Sequence, residues 1–230
     1  MTFEQIETHH PLTMRQISIH NLKETDITPE ELYALRKASF EQWHDEGLRV
    51  SMADESVFSQ YLKDKVVFVA QDAATGELLA MHTLRLNRKR GSAAGANLAV
   101  APAAKHEGIA SRLLQEEVSR LQQKGYRYLV GSTGIPAVWS VRWHLKNGYR
   151  IVGYKRSERE NYPSYVFRKQ FATDIRHHPS DIFWLSSIAP VTARLHYAAS
   201  WVVTHICKTS QGRLTLLGRL AQRLRAALRN

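Results

Sequence analysis

The amino-acid sequence predicts an α/β (α+β) fold in one domain, residues 14–172, followed by a basic helical extension, residues 173–230. Within the domain, short apolar runs typical of strands alternate with longer segments whose apolar residues recur at helical spacing, in the order β-α-α-β-β-β-α-β-α-β-β. In the extension, only the helical spacing remains. At 43% hydrophobic and 23% charged residues, the composition is that of a globular protein able to bury a core.

The first half of the domain begins with a strand and two helices and continues with a β-hairpin. Thr28, Pro29 and Glu31 form the pattern of a capping box with proline at the first helical position, which fixes the start of the first helix. Turn residues at 72–76 separate two apolar runs and predict the hairpin. The predicted segments are a strand at 14–20, helices at 28–47 and 51–63, and strands at 66–71 and 77–87.

The second half of the domain alternates strands and helices. Residues 88–96, RKRGSAAGA, are basic and rich in glycine and alanine, and the sequence predicts a turn there. An amphipathic helix then places Ile109, Leu113 and Leu114 on one face and ends at Gly125. The predicted segments are strands at 97–102, 126–133, 149–157 and 164–171, the last two antiparallel neighbours, and helices at 106–123 and 137–147.

The stretch 105–111, KHEGIAS, opens the amphipathic helix with residues that favour an anion over helix stability. Backbone N–H groups at a helix N-terminus have no partner within the helix, and they attract phosphate. Gly108 and Ala110 leave room for a phosphate to approach these groups. The candidate anion-binding residues are Lys105, His106, Glu107, Gly108, Ile109, Ala110 and Ser111. Neither the dinucleotide pattern G-x-G-x-x-G nor the P-loop pattern fits this stretch.

The order of elements and this strand–loop–helix unit resemble the GNAT superfamily of N-acetyltransferases. In that family a strand ends V-x-P, a loop reads [QR]-x-x-G-x-[GA], and the helix continues with small residues and leucines. This sequence reads V-A-P at 100–102, K-H-E-G-I-A at 105–110 and S-R-L-L at 111–114. Lys105 departs from the usual glutamine or arginine, which leaves the loop backbone unaffected.

A second, shorter motif supports the resemblance, which extends over about residues 14–172. Trp143-His144 occupy the family's aromatic-tyrosine pair, Gly148-Tyr149 its glycine-aromatic step, and Ala137 the place of its asparagine. The resemblance implies the GNAT fold, in which helices flank a mixed, mostly antiparallel central sheet.

The resemblance implies an enzyme that transfers an acyl group from acyl-CoA, most simply acetyl-CoA, to a primary amine by direct attack on the thioester. The backbone of Leu98, Ala99 and Val100 would pair with the pantetheine arm, and the N–H near Val100 would polarise the thioester carbonyl. The loop 105–111 would hold the pyrophosphate. No metal is implied, and the acceptor is a small-molecule or amino-acid-like amine.

Two residues are candidates for the acid that protonates the departing thiolate. His144 sits where many relatives carry the catalytic tyrosine, and an imidazole of ordinary pKa is partly cationic near neutrality. Tyr149 is the second candidate, because it also presents a hydroxyl. No glutamate lies in 94–100 to act as the base, so we expect deprotonation through water or binding of an already neutral amine. His82 either lines the acceptor site, or packs or faces solvent.

The net charge of +11 is concentrated in the extension, where residues 176–230 contribute +7. This excess predicts an anionic partner, either an acidic carrier protein or an anionic membrane surface, or else serves solubility alone. The alternative function is therefore a long-chain N-acyltransferase of the N-acyl amino acid synthase type, using acyl carrier protein or long-chain acyl-CoA at a membrane. A degenerate, non-enzymatic fold is a third hypothesis; nucleic acid is disfavoured because no binding motif occurs, and a dimer is plausible.

Two features of the sequence predict the compartment. Cys207 is the single cysteine, which fits a reducing environment, and the N-terminus lacks the pattern of a signal peptide. No apolar run approaches the roughly 18–20 residues of a transmembrane helix. These features predict a cytoplasmic protein, with peripheral association at the inner membrane face as the alternative.

Overall fold

The computed structural model describes residues 15–45, 54–155, 163–171 and 185–205. Seven strands and five helices occur in these ranges, and their order up to residue 170 is the predicted one. They are β1 Ile17–Asn21, α1 Pro29–Asp45, α2 Glu55–Leu62, β2 Val66–Asp72, β3 Leu78–Asn87, β4 Ser92–Val100, α3 Ile109–Gln123, β5 Tyr128–Gly134, α4 Val138–Lys146, β6 Arg150–Lys155, β7 Ser164–Gln170 and α5 Leu185–His205.

The strands form one sheet in the order β1-β2-β3-β4-β5-β7-β6. Every pairing is antiparallel except that of β4 with β5, which are parallel and are joined through the α3 crossover. The mixed, mostly antiparallel sheet is therefore confirmed. The parallel contact divides the sheet into an N-terminal part, β1 to β4, and a C-terminal part, β5 to β7.

Alternation along the strands directs two sets of apolar side chains to opposite faces of the sheet. Val69 and Met81 join the cluster under α1 and α2, whereas Ala70 and Ala80 join the larger cluster under α3. Buried leucines of the helices complete the two clusters, and they include Leu32 and Leu35 of α1 and Leu113, Leu114 and Leu121 of α3. The helices thus flank the sheet on both faces.

The start of β4 differs from the predicted turn at 88–96. The strand begins at Ser92, and the turn is confined to residues 88–91. Ala93, Ala94 and Ala96 pair with β3, although alanine and glycine have low strand propensity. The central position between β3 and β5, with helices over both faces, favours small side chains here and outweighs that propensity.

The predicted capping box of α1 is confirmed. The Thr28 hydroxyl accepts from the Glu31 N–H at 3.3 Å, and the Glu31 carboxylate accepts from the Thr28 N–H at 2.7 Å. The predicted continuation of this helix to Gly47 lies outside the described residues.

The helix α5 shows how the described part of the extension meets the domain. Ala189 and Ala193 are fully buried in the larger cluster, and Thr192 is hydrogen-bonded to the Tyr165 hydroxyl of β7 at 2.7 Å. Ile188, Val191 and Leu195 form an exposed apolar stripe on the helix. None of the described helices is long and apolar enough to cross a membrane. The leucine stripe predicted for 214–228 lies outside the described residues.

Candidate active site

The strands β4 and β5 separate soon after they meet. Their parallel pairing extends only from Ser92 to Ala94 on β4 and from Tyr128 to Val130 on β5. Beyond this point the strands are not paired with each other, and we call the space between residues 95–100 of β4 and 131–134 of β5 the strand gap. We call its closed end, at Gly95 and Gly131, the vertex. Because the ladder stops, the facing backbone groups of both strands can pair with a ligand.

A β-bulge bends β4 beside the gap. Asn97 and Leu98 together oppose the single residue His82 of β3, and Asn97 has a φ of 51°. Its side-chain oxygen accepts from the Nε–H of Arg36 at 2.8 Å, which fixes the bulge to α1. Bulges bend the strand that carries them, so this one accounts for the departure of β4 from β5.

The three β4 residues predicted to contact the donor lie at the open part of the gap. Leu98 packs against the larger core cluster, and Ala99 is fully buried in the cluster under α1. The Val100 N–H donates to the Ser39 hydroxyl of α1 at 3.2 Å. A carbonyl oxygen that accepted from this N–H would therefore replace the Ser39 hydroxyl.

The predicted anion site lies at the N-terminus of α3. Gly108 is the N-cap residue in the left-handed conformation, with φ 76° and ψ 6°, and His106 also has a positive φ of 71°. A Cβ placed on Gly108 would meet nothing within 4 Å. The glycine is therefore not required by packing inside the protein; its position is open to a ligand, and the N–H groups of the first turn face the same end of the helix.

The side chains around this loop have different roles. Ile109 is buried in the core, so only its backbone can serve the site, whereas His106 and Glu107 are exposed. The Glu107 carboxylate lies 3.5 Å from the Arg15 guanidinium, which directs it towards the start of the sheet. Lys105, Ala110 and Ser111 are half-buried, and Gly108 is exposed.

His144 is buried beside the vertex. Its Nδ1 lies 2.7 Å from the Ser140 carbonyl oxygen, which can only accept, so Nδ1 carries the hydrogen. Burial, opposed by this bond and assisted by nearby His82, lowers the pKa of His144 to about 4. The ring is therefore neutral at pH 7, and this environment does not supply the imidazolium that the sequence argument required for protonating a thiolate.

Tyr149 contacts the His144 ring edge-on, with 4.9 Å between the ring centroids. Burial, and secondarily the Glu117 carboxylate, raise the pKa of Tyr149 well above its ordinary value. Its hydroxyl keeps its proton at neutral pH. The two sequence candidates for the acid thus lie together, one as a neutral acceptor and the other as a hydroxyl.

A buried histidine–glutamate pair also lies at the vertex, and the sequence did not reveal it. The Nδ1 of His82 on β3 lies 2.8 Å from a carboxylate oxygen of Glu117 on α3, and Glu117 is fully buried. The ring contacts Gly95 so closely that a Cβ there would lie 2.5 Å from Nε2. A glycine inside a strand is a signal for such a close approach, but it does not identify the partner.

A separate groove of about 590 Å³ lies beside the β2–β3 turn. Its lining includes Glu24, Asp26, Glu31 and Glu77, and none of its residues belongs to the strand gap or to the loop 105–111. Within the described ranges, no group of three or more His, Cys, Asp or Glu side chains is placed to hold a metal ion.

Comparison with known proteins identifies the family. The family model of the GNAT acetyltransferases matches residues 29–149, which is more than half of the chain. The chain belongs to the GNAT family of acetyltransferases. The match includes α1, the strand gap and the loop before α3, and it makes the protein a transferase of the acyltransferase class. None of the curated proteins compared matches this GNAT chain.

Solved structures share the fold of this GNAT protein at low sequence identity. The ribosomal-protein-S18-alanine N-acetyltransferase from Escherichia coli is 14% identical, with a TM-score of 0.55 over 70% of this chain and 100% of that chain. A GNAT family acetyltransferase from Elizabethkingia anophelis with acetyl-CoA bound is 19% identical, with a TM-score of 0.51 over 67% and 97%. A spermidine N-acetyltransferase chimera from Vibrio cholerae and hSSAT is 13% identical, with a TM-score of 0.52 over 68% and 96%.

Proposed function

We propose that this GNAT protein transfers an acetyl group from acetyl-CoA to a primary amine. The observation that carries the proposal is the connection of two features, a strand gap with available backbone groups and an open helix N-terminus at the end of the same β4–α3 unit. The first suits an extended arm with amide groups, and the second suits a pyrophosphate. Coenzyme A carries both groups on one molecule.

The residues that would hold the donor follow from this arrangement. The N–H groups at Gly108 to Ala110 would bind the pyrophosphate, with the Ser111 hydroxyl and the His106 ring as further donors and positive charge from Lys105. The backbone of Leu98 to Val100 would pair with the pantetheine arm. The Val100 N–H, released from Ser39, would polarise the thioester carbonyl, so that the carbon becomes more open to attack.

The vertex supports a short acyl group. A chain longer than acetyl that continued past Gly95 and Gly131 would meet the rings of His82 and His144, both largely buried. Displacing the His82–Glu117 pair would leave a buried polar group without its partner, which costs free energy. The proposed acyl group is therefore one that ends before the vertex, most simply acetyl, and relative rates with acyl-CoA donors of two to twelve carbons would measure the limit.

The long-chain alternative rests on a different region. The exposed stripe of Ile188, Val191 and Leu195 and the +7 charge of residues 176–230 are suited to an anionic membrane surface, or to an acidic carrier protein. Co-sedimentation with phosphatidylglycerol vesicles, together with lipid extraction after overexpression, would test it. Vesicle binding with long-chain amides in the extract would favour this alternative.

The acceptor is proposed only as a primary amine. The similar structures named for S18 alanine and for spermidine provide two probes of different size and charge. A peptide that begins with alanine, spermidine and single amino acids would form a first panel, with release of the CoA thiol as the readout. For the leaving thiolate, Tyr149 remains a proposed hydroxyl donor, whereas His144 is neutral and acts as an acceptor.

Two matched variants test donor binding. Gly108 and Gly125 lie at opposite ends of α3, have φ angles of 76° and 80°, and have nothing within 4 Å of an added Cβ. Gly108→Glu places a negative charge against the proposed pyrophosphate, a clash of several kcal/mol, so the affinity for acetyl-CoA should fall at least about 100-fold. Gly125→Glu carries the same charge and backbone strain without that clash.

Isothermal titration calorimetry with acetyl-CoA gives the comparison directly. The expected result is tight binding by the wild type and by Gly125→Glu, with binding lost in Gly108→Glu. Equal affinities for all three proteins, or absence of binding by the wild type, would contradict the proposed donor site.

A further inference from the structure

We propose that His82 is the catalytic base of this protein, taking the proton of the acceptor amine at the vertex, and that Glu117 is the residue that positions it. The inference rests on the proposed acetyl transfer. Family resemblance does not indicate this pair: the two residues are 35 positions apart, on β3 and α3, and neither belongs to a motif of the family.

The first argument is position. His82 Nε2 lies against Gly95, the first β4 residue beyond the pairing with β5. Gly131 is the first β5 residue beyond the same pairing, and a Cβ there would lie 3.3 Å from Nε2 of His144. The two imidazoles therefore occupy, with their Nε2 atoms, the places of the missing side chains on both sides of the vertex.

The second argument is the direction of the hydrogen bonds. A carboxylate and a carbonyl can only accept, so Nδ1 of His82 donates to Glu117 and Nδ1 of His144 donates to Ser140. When Nδ1 carries the only ring hydrogen, Nε2 presents a lone pair. In the described part of the chain, neither Nε2 makes a hydrogen bond. Acceptors on both sides of the vertex suit a ligand that brings N–H or S–H donors, such as an amine.

The third argument gives the two rings different roles. A proton on His144 would be a buried charge facing only a neutral carbonyl, which burial disfavours. A proton on His82 would complete an ion pair with Glu117, whose side chain is fully buried and already in place at 2.8 Å. The amine proton is therefore held by His82, whereas His144 orients the amine by accepting a second N–H.

The balance of the step is simple. An ammonium acceptor gives one proton to Nε2 of His82, and its nitrogen then has a lone pair. The neutral amine then moves along the gap to the thioester carbonyl at Val100, where its lone pair forms the N–C bond at the carbonyl carbon while the C–S bond breaks and its electron pair leaves on sulfur. The Tyr149 hydroxyl gives its proton to the sulfur and regains one from the second proton lost by the attacking nitrogen, and His82 returns the first proton to solvent.

Nitrogen-15 NMR of the histidine side chains tests the position without any turnover. His106 lies in the loop 105–111, so it reports the phosphate end of a ligand, while His82 and His144 report the vertex. With coenzyme A and the amine of the panel with the highest rate bound together, we expect the signals of all three to shift. With adenosine 3′,5′-bisphosphate, which lacks the pantetheine arm, we expect only His106 to shift.

The outcomes separate this inference from the proposed function. Binding of coenzyme A with the amine that shifts His106 but leaves His82 and His144 unchanged would overturn the inference and keep the donor site. Absence of coenzyme A binding would overturn the proposed function, and the inference with it.

Kinetics test the chemical role, using the amine of the panel above with the highest rate. His82→Gln should lower kcat by about 100-fold or more, the usual contribution of a general base, while the affinity for acetyl-CoA stays within about threefold. Glu117→Gln should lower kcat by a smaller factor than His82→Gln does. Imidazole added to His82→Ala should restore part of the kcat that this variant loses. A folded His82→Gln protein with kcat within about threefold of the wild type would overturn the role.

Discussion

The loop before α3 and the vertex of the strand gap both depend on glycine, for opposite reasons. At Gly108 the backbone is left-handed and the surrounding space is open, so glycine serves conformation and access. At Gly95 the φ is ordinary and the space is filled, because a Cβ would lie 2.5 Å from the His82 ring. The loop is built from exposed backbone, whereas the vertex is built from buried polar side chains.

This difference separates binding from stability. Changes at Gly108 act on a ligand and leave the core intact, because a Cβ added there meets no atom within 4 Å. Changes at the vertex act on the fold as well, since His82, Glu117 and His144 are buried within the core. The larger effects on stability therefore belong to the vertex, and the larger effects on donor affinity belong to Gly108.

The largest expected effect is a pH dependence of stability that originates at the vertex. The pKa of His144 is about 4 in the folded protein and 6.5 when the ring is free, because burial disfavours the charged form. Below pH 6.5 the unfolded chain takes up a proton that the folded protein does not. The stabilisation is thus complete above pH 6.5 and is lost as the pH falls to 4, by about 3 kcal/mol at about 1.4 kcal/mol per pH unit.

Urea unfolding at several pH values between 7 and 4 measures this loss. The control is His144→Phe, which keeps a ring stacked on Phe167 and removes the titrating group. Carboxylates of depressed pKa also lose stability in acid, but they do so equally in both proteins. Identical slopes for the wild type and His144→Phe would mean that His144 is charged in the folded protein and would remove the contrast with the loop.

The next effect compares the two glycines directly. Gly95→Ala forces its methyl group against the His82 ring, which Glu117 holds in place, so we expect a loss of about 2 kcal/mol in the free energy of unfolding. Gly108→Ala meets no atom and carries only the left-handed backbone cost of about 1 kcal/mol. Both values come from urea unfolding.

The double variant Gly95→Ala/His82→Ala sharpens the same comparison. If the clash with His82 is the cause, the loss from Gly95→Ala should become smaller when the ring has been removed. Losses that simply add would place the strain elsewhere in β4.

The sequence was sufficient for the parts of the fold that local chemistry determines. The capping box of α1 and the glycines that end helices are local signals, and the helices and most strands follow them within a few residues. The start of β4 was missed because residues 93–96 are small to fit against side chains of β3 and α3, which are distant in the sequence. The pair of His82 and Glu117 was missed for the same reason, since tertiary structure alone brings them together.

The candidate site divides in the same way. The loop 105–111 could be proposed from its residues because a helix N-terminus binds anions through backbone groups that any sequence provides. The protonation state of His144 could not be predicted from the sequence, because it depends on burial and on the hydrogen bond to the Ser140 carbonyl. Nothing in the sequence indicated a role for Ser39, since serine in a helix is common. Its hydrogen-bond partner Val100 is 61 residues away in the sequence.

The smallest expected effect lies between the two regions, at the Ser39 hydroxyl. Ser39→Ala removes one hydrogen bond to the Val100 N–H and should lower the free energy of unfolding by about 1 kcal/mol. If the thioester oxygen accepts from the same N–H, the free variant no longer loses that bond on binding, so its affinity for acetyl-CoA should rise up to about fivefold. Calorimetry measures this rise, and adenosine 3′,5′-bisphosphate, which does not reach Val100, should bind both proteins equally. A weaker affinity for acetyl-CoA would instead make Ser39 a direct contact of the donor.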